Sequence, residues 1–149
     1  MVTDRQIYLG CDPGISGCLA TLNADGLPEF CRLDETPADV HAWLWSTFAE
    51  IEPRPIAVLE RVASSPQMGV RSAFTFGQSY GALEAFLVSV GCRIERVSPA
   101  VWQKALGCRS KGDKNVTKRR AQELFPGVKV THRNADALLL AEYGRRTYR

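Results

Sequence analysis

The run IAVLE, residues 56–60, constrains the fold more than any other stretch of the chain. It is too short for a helix, and it lies between the breaker segment EPRP (52–55) and the polar loop ASSPQMGVRS (63–72), so it forms a strand. Continuous apolarity along a strand means burial on both faces, as in a sheet covered by helices on either side. Glu60 closes this run. A carboxylate at the end of a strand buried on both faces needs a partner or a cation.

Other segments extend the same pattern. QIYLGCD (6–12) is a strand ending in Asp12, followed by the Gly/Pro turn PGISG. An Asp-Pro-Gly sequence alone is ordinary turn chemistry. CLATLN (18–23) is a second strand, and NADG forms a hairpin turn into LPEFCRL (27–33). Thr36 or Asp34 opens a helix with Val40, Trp43, Leu44, Phe48 and Ile51 at helical spacing. After the 63–72 loop, a long helix runs through FTFGQSYGALEAFLVSVG, and CRIERVS (92–98) alternates as a strand. SPAVWQKALG (98–107) is a short helix with Ser98 as cap and Pro99 at its first position. The basic loop CRSKGDKN, the helix VTKRRAQELF and a last helix capped by Asn134 complete the chain. The order βββ-α-β-α-β-α-α-α predicts an α/β fold, a mixed five-stranded sheet flanked by helices. With 149 residues and no repeats or linkers, one domain spanning 1–149 is expected.

Composition narrows the function. The apolar runs are far too short to cross a bilayer and the N-terminus lacks a signal-peptide core, so a cytoplasmic protein without a membrane partner is expected. Five cysteines, an odd number without a CxxC pair, read as reduced thiols rather than disulfides or a zinc site. The net charge of +3 conceals an asymmetry. Residues 109–149 hold 11 Lys/Arg against 4 Asp/Glu, a balance of +7, while residues 1–108 carry 8 against 12, a balance of −4. A basic C-terminal third points to a polyanion, with nucleic acid the first candidate.

A third acid, Asp136, sits at the head of the otherwise apolar run ADALLLA. An acid there suits the positive end of the helix dipole. Together with Asp12 and Glu60, though, it makes three carboxylates at the ends of elements, a donor set for a hard cation such as Mg²⁺, with Mn²⁺ as a substitute. Two such ions about 4 Å apart are a standard clamp for attack of water on a phosphodiester. With only His41 and His132 in the chain, no Ser-His-Asp or Cys-His constellation competes, and there is no phosphate-binding GxxxxGK[ST] loop.

GCDPGISG, the Glu60 ending of IAVLE, GQSYGAL (77–83) and ADALLLA occur in one collinear order that resembles the RuvC Holliday-junction resolvases. SPAVWQKALG and the terminal YGRR resemble the short, phage-type branch. The resemblance implies an RNase H-like fold, a homodimer, and Mg²⁺-dependent crossover-junction endodeoxyribonuclease activity, cutting symmetrical strands of a four-way DNA junction in a bacterial cell or a phage-infected host. Carried over residue by residue, Asp12 is similar to the first-strand metal ligand, Glu60 to the central glutamate and Asp136 to the last-helix aspartate. The bacterial pattern has another aspartate three residues before that last one, where this chain has Arg133. His132 is the candidate replacement, as a neutral ligand or as a base. The bacterial enzymes also carry a base-stacking aromatic three residues beyond the glutamate, where this chain has Ala63. Their sequence preference is therefore not carried over, and broader action on branched DNA is open.

For DNA contact the resemblance and the basic pattern point to Lys111, Lys114, Lys118 and Arg119, with Arg71 a second candidate beside the metals. The three lysines follow helical spacing if their helix begins early, forming a ridge that meets phosphates; at least one of Arg119 and Arg120 is expected to be a solvated helix residue. Gly77, Gly81 and Ala82 allow the long helix to approach the sheet or a partner subunit closely. Three alternatives stand beside the resolvase: an RNase H-like nuclease on flaps, forks or hybrids; a non-catalytic junction-binding module; and an actin-like ATPase domain. The last needs two such domains and a longer chain.

Overall fold

The computed structural model describes residues 5–23 and 27–149. Its elements follow the expected order: β1 (Tyr8–Asp12), β2 (Cys18–Leu22), β3 (Phe30–Arg32), α1 (Pro37–Phe48), β4 (Ile56–Glu60), α2 (Val70–Ser89), β5 (Arg93–Val97), α3 (Pro99–Ala105), α4 (Lys114–Leu124) and α5 (Ala135–Thr147). The five strands form one sheet in the order β3-β2-β1-β4-β5. The β1–β2 and β2–β3 pairs are antiparallel, and β4 runs parallel to β1 and to β5. Residues 24–26 of the expected NADG turn lie outside the described residues.

The sheet divides the core into two layers. Leu9, Cys11, Ala57 and Leu59 face Val40, Leu44 and Phe48 of α1 and Leu83 and Leu87 of α2. Tyr8, Ile56 and Val58 face Trp102 of α3, Ala121 of α4 and the apolar side of α5. Side chains alternate across a strand, so Asp12 shares a face with Tyr8 and Gly10, and Glu60 with Ile56 and Val58. Both acids thereby stand on the side that α5 covers. All five cysteines are buried, three of them in β1, β2 and β3. No helix among the described residues is long and apolar enough to cross a membrane.

What seats α5 on the sheet is the absence of a side chain at position 10. A Cβ built on Gly10 would overlap the Ala137 carbonyl and lie 2.6 Å from the Ala141 nitrogen. At the far end of the helix, a Cβ on Gly144 would lie 2.5 Å from Val58 Cγ2. Helix and strand backbones thus touch, a distance that only glycine allows. In the turn that follows Asp12, Gly17 folds back on the Asp12 carbonyl, and its N–H bonds Gly14 O at 3.0 Å.

The end of α1, the starts of α2 and α4, and the cap of α5 differ from expectation. α1 ends at Phe48 rather than at Ile51, after Thr36 opens it by accepting the Asp39 N–H at 3.2 Å. α2 begins at Val70, four residues before the apolar pattern starts, because its first turn is exposed and carries no buried stripe. Asn134 precedes α5, yet its side chain does not cap it: Oδ1 accepts Thr131 N–H at 2.8 Å and Nδ2 donates to Lys129 O at 3.1 Å. That asparagine shapes the loop ahead of the helix instead.

Gly10→Ala is expected to destabilise the protein by at least the roughly 1–3 kcal/mol typical of overpacking, since backbone atoms and not a flexible side chain must yield. Urea unfolding measures this; a change below about 0.5 kcal/mol would contradict the seating described here.

Candidate active site

β1 and β4 are parallel neighbours in which Cys11 pairs with Leu59, so Asp12 and Glu60 each stand one residue beyond a paired position at the same end of the sheet. α5 starts above this end. Because Gly10 touches Ala137, the adjacent Asp136 comes down beside the two strand-end acids.

The three carboxylates share one electrostatic environment. Burial, then the charges of Asp136 and Glu60, push the Asp12 pKa up to about 8, and Lys114 opposes the rise. Burial also raises Glu60, with Asp136 adding to it; the Trp102 hydrogen bond and Lys114 pull the other way. Asp136 is raised chiefly by burial, against a hydrogen bond from Thr117 and the charge of Lys114. Among the described residues, Lys114, in the first turn of α4, is therefore the one cation that acts on all three acids. Sequence reasoning assigned it to DNA alone.

Glu60 and Asp136 open into a cleft of about 490 Å³ bounded also by Pro99, Gln103, Thr117, the loop residues Arg109 and Lys111, and Lys114 at the start of α4. The loop is shaped from α3: Gln103 Oε1 accepts the Ser110 N–H at 3.1 Å and the Ser110 hydroxyl at 3.3 Å. Asp113 then caps α4 by accepting the Asn115 N–H at 2.9 Å. The cleft thus has an acidic floor and a basic rim, the division needed to hold a cation beneath a phosphate.

The structure does not bring every expected residue into this cleft. His132 is exposed, and its Nε2 lies 2.9 Å from Asn115 Oδ1, which ties the loop before α5 to the first turn of α4. Arg133, where the bacterial pattern has an aspartate, turns to Asp34 at 3.3 Å and to Ile15 O at 3.5 Å. The lysine ridge is broken. Lys111 precedes the helix in left-handed backbone (φ 49°), so it joins the rim through the loop, while Lys114 and Lys118 alone share the helix. Thr117, and not Lys118, faces the cleft. Arg119 is exposed on α4, and Arg120 is structural, donating to Leu106 O at 2.7 Å and pairing with Glu123. Arg71 lies in the first turn of α2 rather than in a loop, away from the residues that line this cleft.

Four participants escaped the sequence reading: Trp102, Gln103, Arg109 and Thr117. Trp102 and Gln103 lie in SPAVWQKALG, where an apolar position in a short helix signals only core. Arg109 stands within the basic loop and could have been found by extending the charge pattern two residues upstream.

An all-oxygen set of three part-buried or buried carboxylates, each raised by burial and with Asp136 also raising Asp12 and Glu60, fits a hard divalent cation, because a positive charge relieves both burial and repulsion. Among the described residues, no group of three or more His, Cys, Asp and Glu side chains is placed to hold a metal ion as it stands.

No protein-family model and no curated protein matches the chain. Solved structures do. The Thermus thermophilus RuvC structure superposes with a TM-score of 0.67 at 18% identity, over 95% of this chain and 96% of that one. T. thermophilus RuvC in complex with a Holliday junction substrate gives a TM-score of 0.67 at 17% identity, with the same coverage. The yeast mitochondrial Holliday junction resolvase Ydc2 is a looser likeness, with a TM-score of 0.49, 18% identity, and coverage of 95% and 77%. The architecture is therefore an RNase H-like fold. Within that class, it is the fold of RuvC.

The raised Asp12 pKa sets a sign for stability. Its folded-state value of about 8 lies above the ordinary 3.8, so this group's contribution is fully present below about pH 4 and is lost as pH rises through 8. Metal-free protein is expected to lose melting temperature between pH 6 and pH 8.5, and added Mg²⁺ to restore more of it at the higher pH. Asp12→Asn should flatten both trends; unchanged trends in that variant would contradict the assignment.

Proposed function

We propose that this protein is a divalent-metal-dependent endonuclease that resolves four-way DNA junctions by paired cuts. The observation that supports the reading is the grouping of Asp12, Glu60 and Asp136 at one end of the sheet, close enough for Asp136 and Glu60 to raise Asp12, with Glu60 and Asp136 lining a cleft rimmed by Arg109, Lys111 and Lys114, within a RuvC fold. A RuvC with this fold has been seen on a Holliday junction substrate.

In this mechanism the three carboxylates hold Mg²⁺, or Mn²⁺ in its place. When bound, the cation supplies Lewis acidity toward the phosphodiester and toward the water that attacks it. Two ions held by these carboxylates would flank the scissile phosphate. Arg109, Lys111 and Lys114 seat the phosphate backbone over the acidic floor and exclude the wrong register. Lys118, Arg119 and Arg71 extend the contact to flanking phosphates. Lys114 also offsets the repulsion among the acids, so its two roles compete for one charge.

His132 lies outside the cleft, where it clamps the loop before α5 to the first turn of α4, and would act as a base or ligand only by leaving Asn115 when DNA arrives. A homodimer places two such sites on a two-fold junction. The exposed Val70, Phe74 and Val88 of α2 support this, as do Gly77 and Gly81, where an added Cβ would meet nothing within 4 Å among the described residues. A second reading, a junction-binding module without turnover, is favoured by the replacement of the fourth aspartate by Arg133.

Labelled four-way, flap and linear DNA, incubated with Mg²⁺ or EDTA, separates these readings. Symmetrical nicks in the junction with Mg²⁺ alone are expected; no metal-dependent cut on any branched substrate would sink the nuclease, and tight junction binding without cuts would favour the second reading. Asp12→Asn and Glu60→Gln should each abolish cleavage while leaving junction binding intact. His132→Ala should lower the rate strongly if the imidazole takes part in chemistry, and near-normal turnover would remove it from the site. Binding should weaken steeply with salt, and Arg109→Ala or Lys111→Ala should each reduce the salt slope by about 1 if the side chain meets a phosphate.

A further inference from the structure

Glu60 is held in a way that its place at a strand end does not require. Trp102 is fully buried in α3, and its indole N–H donates to Glu60 Oε2 at 2.8 Å. Glu60 itself is buried, so this bond is formed out of water, where a charge-assisted contact is strong and its loss is costly. The indole is pinned in turn by the packing around it: Trp102 sits in the core cluster with Val97, Leu106, Leu138 and Leu139. A ring so enclosed has no second orientation, so the N–H points at one fixed place.

From this geometry we infer that Trp102 is a positioning residue that fixes the rotamer of Glu60 and presents its other oxygen, Oε1, as a metal ligand. The inference rests on the metal-site reading of the cleft. Any cation there is bound by a carboxylate whose orientation is set in advance, so little side-chain entropy remains to be lost on binding. The neighbouring Gln103 anchors Ser110 of the basic loop, so two consecutive residues of α3 support the floor and the rim of one site.

The test uses the full chain and the indole ¹H–¹⁵N resonances of its three tryptophans, assigned with Trp43→Phe and Trp45→Phe. The Trp102 resonance is expected downfield of the other two and to move on Mg²⁺ titration, with the midpoint of the Mg²⁺-dependent rise in melting temperature. Glu60→Gln should displace it and remove the Mg²⁺ response. Trp102→Phe, which keeps an aromatic ring and deletes the donor, should raise the Mg²⁺ midpoint by about ten- to a hundredfold, the usual effect of losing such a support. Raising Mg²⁺ should then recover cleavage. A Trp102 resonance indifferent to Mg²⁺ while the melting temperature responds overturns the inference, as does an unchanged midpoint in Trp102→Phe. If that variant fails to fold, the resonance of the unaltered chain decides alone. Absence of any Mg²⁺ response in the unaltered chain overturns the metal site and this inference together. A Mg²⁺ response that moves the resonance, in a protein that cuts no junction, supports Trp102 and overturns only the nuclease.

Discussion

The contact between Gly10 and the backbone of α5 at Ala137 and Ala141 is the constraint from which the site's geometry follows. Strand periodicity already places Asp12 and Glu60 on one face, but two acids on a strand edge would face solvent if the covering helix stood at ordinary packing distance. Removing the side chain at position 10 lets α5 descend onto the sheet. Asp136, one residue from the point of contact, descends with it. The same seating buries Ala137, Leu138, Leu139, Leu140 and Ala141, so the apolar run that anchors the helix also fixes its acid.

Bringing three carboxylates together costs stability, and the fold offsets that cost only in part. Trp102 holds Glu60, Thr117 lowers Asp136 against its burial, and Lys114 acts on all three. Asp12 still rises to about 8, which marks it as the acid least provided for by the protein's own groups. A site with this residual strain is what a cation would relieve, whereas a purely structural acid is usually matched by its neighbours, as Glu142 is by Arg145 and Arg146 at 2.7 and 2.6 Å. Within α5 itself the same contrast appears: Glu142 is paired and lowered, whereas burial raises Asp136.

Much of this was legible in the sequence, because short apolar runs and helical spacing report burial directly. IAVLE, QIYLGCD and ADALLLA located the strands, the last helix and the three acids, and the element order held throughout. What was not legible depends on contacts between distant segments. Trp102 reads as core whether or not its N–H meets an acid 42 residues away. The early start of α2 was hidden because its first turn packs against nothing, and Asn134 looks like a cap although its side chain serves the preceding loop. His132 shows the limit most sharply: its nearness in sequence to Asp136 did not place it among the acids, because the loop turns it toward Asn115.

The central claim is that Asp12, Glu60 and Asp136 form one divalent-cation site. Crystals grown with Mn²⁺ and measured at the manganese absorption edge test it most directly. The account predicts anomalous density in the cleft, within coordination distance of oxygens from all three carboxylates. Density elsewhere on the molecule, or none at a saturating concentration of Mn²⁺, would contradict it.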